Sequence, residues 1–259
     1  MDRGGRLSAA LRLYPFALAL ALWWLLAASG TLGNEFVMPP PPRVFERARE
    51  LLDDGTLGRE VLVTFSRVAL AFSLACVAGV GLGLLIGSVP AVRRALRPLV
   101  SFLFPAPKVA LYPAMVIVFG LGSASKVALG FSEALFPVLL ATAAGASQVD
   151  ARLRWSAAAL GTSRHAALVK VVLPAALPQI LNGARIGLVG AIVGVFLGEM
   201  IAAADGLGHL MAISYRSLDT PGLYVAMLAV SILGYALDRA FLFARRRLLR
   251  WSDEFDGDG

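Results

Sequence analysis

Between residues 13 and 243 the sequence keeps returning to apolar runs of about twenty residues, the length that carries a helix across a hydrocarbon core. In lipid no water satisfies the backbone, so such a run must close its hydrogen bonds internally and becomes a helix. Six runs predict an all-α, polytopic membrane protein: residues 13–32, 61–89, 100–120, 126–147, 180–203 and 223–243. The composition agrees, with 58% hydrophobic residues, 16% charged residues and a mean hydropathy of +0.74. Residues 1–12 are expected as a cytoplasmic N-terminus, 13–243 as the membrane domain, and 244–259 as a disordered cytoplasmic tail.

In chain order, Arg3, Arg6 and Arg12 precede the first run as they would precede a secretory signal. No small-residue cleavage site follows, so the run is expected as an uncleaved span. Pro39–Pro42 then predicts a stiff turn, and residues 43–54 an amphipathic helix lying at the outer interface. The second run carries Gly79, Gly81, Gly83 and Gly87, a spacing that suits close helix packing. Pro105, Pro107 and Pro113 interrupt the third.

With the N-terminus inside, the inner segments hold fifteen Lys and Arg against six in the outer segments, so both termini are expected in the cytoplasm. The net charge of +7 is scattered over short segments between spans, which excludes a nucleic-acid face. One cysteine, Cys76, forbids an internal disulfide, and two histidines argue against a metal site.

Between the fourth and fifth runs lies a polar island at 150–178 with Arg152, Arg154, Arg164, His165 and Lys170. Asp150 can cap a first helix, Gly161 can end it in the left-handed conformation, and Thr162 or Ser163 can cap a second, which is expected to stop near Pro174. This elbow is longer than a connector needs and is read as a cytoplasmic docking surface.

Gly161, followed after nine residues by Val171-Val172-Leu173-Pro174, resembles the "EAA" loop of ABC-importer permeases, as does the string LGTSRHAALVKVVLPAALP. TFSRVALAFSLACVAGVGLGLLIG, FPAPKVALYPAMVIVFGLGSASK and GEMIAAADGLGHLM resemble the nitrate/sulfonate/taurine branch of that family. The resemblance spans roughly residues 39–243. It departs where the family has Glu-Ala-Ala, because this chain has Trp155, Ser156 and Ala157. It implies a type I importer permease fold of six core helices in the bacterial inner membrane. It also implies a second permease copy, two ATPase subunits docked on the elbows and an extracytoplasmic substrate-binding protein. On that reading Leu160, Gly161, Ser163, Arg164, His165, Leu173 and Pro174 form the ATPase contact. Leu160, Gly161 and Leu173 shape the elbow, and Ser163, Arg164 and His165 point outward.

Arg67, Lys108, Glu133, Arg185, Glu199 and Asp238 fall in or near apolar runs, where an isolated charge is costly. Two readings stand: Arg67, Lys108 and Arg185 attract an anionic solute, or each pairs with an acid to fix packing. Tyr112, Met115 and Phe119 share a helix face and are expected along the translocation path. No G-x-x-x-x-G-K-[ST], H-E-x-x-H or G-x-S-x-G motif occurs, so the chain is expected to be no enzyme and to need no cofactor, with ATP bound by a partner. The competing reading is an ion-coupled secondary transporter using Glu133, Glu199 and Asp238.

Overall fold

A computed structural model describes residues 3–30 and 37–249, with side chains described from residue 14 onward except at residue 16. Among the described residues the fold is helical with no strand. The first helices are α1 (Arg3–Ser29), α2 (Pro41–Asp53), α3 (Thr56–Ser88) and α4 (Pro90–Leu103). A short 3₁₀ turn (Lys108–Leu111) leads into α5 (Tyr112–Phe119), followed by α6 (Ser123–Gln148) and α7 (Ala151–Ala159). Helix α8 (Arg164–Ala167) passes through one π-helical turn (Leu168–Val172) into α9 (Leu173–Ala202), and α10 (Leu207–Arg216) and α11 (Thr220–Leu248) complete the chain.

Four helical segments are long and apolar enough to cross a membrane: Thr56–Ser88, Ser123–Gln148, Arg164–Ala202 and Thr220–Leu248. The expected third span is not one helix. It is a pair, Pro90–Leu103 and Lys108–Phe119, bent by 86°. Pro105 and Pro107 cause the break, since each lacks the N–H that would continue the helical ladder. Helix α1 carries the first expected run as far as Ser29, and the end of that run at 31–32 lies outside the described residues. Helix α11 continues through Arg245–Arg247, inside the segment expected as a disordered tail. Basic residues in a last turn suit the negative end of the backbone dipole. Residues 250–259 of that tail lie outside the described residues.

Helix α6 sits at the centre, clasped by α3 on one side and α9 on the other. A Cβ at Gly79 would come within 2.9 Å of Val138, one at Gly83 within 2.5 Å of Thr142, and one at Gly87 within 2.6 Å of Ala146. From α9, a Cβ at Gly187 would meet the same Val138, and one at Gly194 would meet the Gly130 backbone at 2.8 Å. Backbones approach because these positions carry no side chain, and in lipid that contact is the main attraction available. Gly81 points into open space and takes no part. The interfacial helix forms as expected, although it opens at Pro41, where a missing N–H costs nothing. Val44 and Leu51 are its buried face, and Arg47 ties it to Asp219 beside α11. Glu50 and Asp219 hold the Arg47 guanidinium above its ordinary pKa.

Candidate functional site

The elbow is built by local chemistry. Asp150 accepts from the Arg152 N–H at 2.8 Å and starts α7. The helix ends at Gly161 with φ +74°, the Thr162 N–H reaching Ala157 O and the Gly161 N–H reaching Ala158 O at 3.0 Å each. This paired closure requires a left-handed residue, which glycine accepts without cost. Ser163 then accepts from the Ala166 N–H at 3.3 Å and starts α8.

The second helix does not stop near Pro174. It runs on to Ala202, because the π turn at 168–172 widens the ladder where the proline ring would otherwise meet the carbonyl of Lys170. Leu173 packs against the cluster of Val149, Val172 and Ala176, as expected of a shaping residue. Leu160 does not: it is 85% exposed, with Trp155 70% and Leu153 50% exposed on the same elbow. Ser163, Arg164, His165 and Pro174 are exposed as well.

The intramembrane charges pair one to one. Arg67 Nη1 lies 2.8 Å from Glu199, Arg185 grips Asp238 through two bonds of 2.7 and 3.0 Å, and Lys108 Nζ lies 3.8 Å from Glu133. Lys108 also donates to Phe104 O at 3.2 Å and stands over the Phe136 ring. The pairs join α3 to α9, α9 to α11, and the bent pair to α6. Of the two readings, the structure shows the pairing one for Arg67, Lys108 and Arg185, each of which lies beside an acid. The expectation for Tyr112 is corrected. It is buried and donates to Gly198 O at 3.0 Å, so it fastens α5 to α9 rather than facing a path. Met115 is half-buried and Phe119 exposed.

A larger polar cluster, at the starts of α3 and α6 and the end of α9, went unforeseen. Glu199 is fully buried and takes the Gly208 N–H at 3.1 Å and the Thr64 hydroxyl at 2.8 Å. Thr64 accepts the Leu207 N–H at 2.8 Å, and Glu60 accepts the Gly206 N–H. The orphan N–H groups opening α10 are thus satisfied from α3 and α9, and the carboxylates suit that positive end. Arg67 reaches Asp205 Oδ1 at 2.5 Å and the Ser123 hydroxyl at 3.0 Å. Lys126, expected in an outer segment, is fully buried nearby and donates to Leu121 O. His209, expected as a surface residue, has an enclosed Nδ1 with no hydrogen-bond partner.

Spanning helices packed by glycine stripes, with paired charges between them and a polar elbow between two spans, define an integral membrane protein. Residues 79–250 match the family described as "Binding-protein-dependent transport system inner membrane component", and the chain belongs to that family. A probable ABC transporter permease protein of Brucella abortus is 33% identical over 94% of this chain and 96% of its own length. The taurine transport system permease protein TauC of Escherichia coli K12 is 33% identical, covering 92% and 88%. The nitrate import permease protein NrtB of a Synechocystis species is 30% identical, covering 88% and 84%. In fold, the chain is similar to a solved chain of the MetNI methionine ABC transporter in an inward-facing conformation. The TM-score is 0.64 and the identity 19%, over 73% of this chain and 94% of that one. The protein is an ABC-importer permease of the nitrate/sulfonate/taurine type.

Proposed function

We propose that this permease forms half of the translocation path for a small anionic solute, and that the elbow at 150–174 receives the ATPase that drives it. The exposure of Leu153, Trp155 and Leu160 beside the polar residues of α8 carries the reading. Three large apolar side chains presented to water at one corner mark an interaction surface. The permease has no nucleotide site of its own on this reading, and ATP is bound by two partner subunits. The excess of Lys and Arg on the elbow side supports a cytoplasmic elbow and cytoplasmic termini, with the binding protein delivering solute opposite.

The solute class rests on relatives named for taurine and nitrate, both of which carry an oxyanion group. Met115 and Phe119 on α5 remain as path residues, and the paired charges leave selection to the binding protein. Ion-coupled transport is disfavoured because Glu133, Glu199 and Asp238 are each held by a cation. The test is Leu160→Asp. Inserted permease should lose its co-purifying ATPase and its ATP-dependent uptake. Retention of both would overturn the docking reading.

A further inference from the structure

The elbow sets Arg152, Arg154, Arg164, His165 and Lys170 against a single acid, Asp150, which already caps α7. Where the family pattern places a glutamate, this chain carries Trp155. Beneath the elbow, at the corner where α3 ends and α4 begins, lies an open cavity of about 380 Å³. Arg154, Arg164, Thr162 and Ser88 bring polar groups to its wall, Val89 and Leu168 supply apolar surface, and no acidic residue lines it. Ser88 Oγ is enclosed without a hydrogen-bond partner, which is costly for a buried hydroxyl. Arg154 is steadied by a 2.9 Å bond to Val149 O. Arg164 opens α8 and is exposed.

We propose that the ATPase seated on the elbow presents a carboxylate side chain that enters this cavity between Arg154 and Arg164. The inference rests on the docking reading above and gives it a polarity. Basic and without that glutamate, this elbow seeks an acid. A guanidinium fork matches a carboxylate with two parallel bonds. Trp155 and Leu160 supply apolar contact beside the ionic one, the arrangement of a central anchor with a polar rim.

The permease is assembled with its own ATPase in nanodiscs of phosphatidylcholine, which carries no net charge, and the ATPase retained is read by size exclusion. Retention by the unaltered permease should fall about tenfold as salt rises from about 0.05 to about 0.5 M, because screening weakens a partly exposed pair. Arg164→Glu should lower retention about tenfold at low salt and remove most of the salt dependence, with Arg164→Gln between the two. If Leu160→Asp releases the ATPase while salt and both Arg164 variants change nothing, docking stands and the acidic partner is overturned. If no variant releases it, the docking reading itself falls. If retention in the unaltered complex requires anionic lipid, the cavity belongs to a headgroup and the proposal is likewise overturned.

Discussion

Gly206 shows how little room the outer polar cluster leaves. Its φ of +99° and ψ of 163° lie in a region essentially reserved for glycine, and a Cβ there would overlap the Glu199 carboxyl group. Gly206→Ala should therefore lower stability by about 3 kcal/mol, strain and lost capping together, seen as an earlier thermal midpoint in detergent. Gly81→Ala, whose Cβ meets nothing, is the matched control and should leave the midpoint in place. Arg67 is the other fixed point. Arg67→Leu strands Glu199 and Asp205 together, and breaking such a pair costs about 3–5 kcal/mol, so little folded protein should be recovered. The sequence marks Arg67 and Glu199 as charges needing partners but does not pair them, since they stand 132 positions apart. Lys126 stands at the start of an apolar run, and its full burial is likewise decided by helices remote in sequence. Gly161, Asp150 and Ser163 were legible because each acts on backbone within about one turn of itself.

At the scale of the element, the two prolines at 105 and 107 and the one at 174 have opposite outcomes. The first two fall together without a compensating turn and bend the chain by 86°, while Pro174 is absorbed by a π turn and the helix continues. Sequence shows where a helix is endangered, not which remedy the surroundings supply. Apolar periodicity likewise located α3, α6, α9 and α11 but missed how far α11 continues beyond its apolar part. Lys108 braces the broken element, reaching Phe104 O on one side and Glu133 of α6 on the other. Lys108→Met should leave Glu133 half-buried without its cation, at about 1–3 kcal/mol, and reduce the yield of folded permease. Uptake per folded molecule should stay near the unaltered value, and Glu133→Gln added to Lys108→Met should restore part of the yield. A fall in uptake per molecule at full yield would instead return Lys108 to the path.

For the whole molecule, the broken element decides what else must be present. Between α4 and α5 the backbone leaves helical geometry, and Phe104, Pro105 and Pro107 there are exposed in the single chain. Irregular backbone within a bilayer is tolerated only where protein or water covers it, so lipid cannot be its neighbour. Ile117 and Val118 on α5 are exposed beside it. On the proposed function, a second permease copy packed on α5 would cover the break and place Met115 and Phe119 of both copies around a shared space. The measurement is disulfide crosslinking in native membranes. Cys76, the one cysteine, is replaced by serine, and Val118→Cys is introduced on α5. A band of twice the chain mass should form at Val118→Cys and be weaker at Ile232→Cys, an equally open position on α11. A band of another mass would mean a second, different permease, which keeps the covering argument and removes the symmetry. Monomer alone at Val118→Cys, with the ATPase still bound, would mean that this face meets something other than a permease.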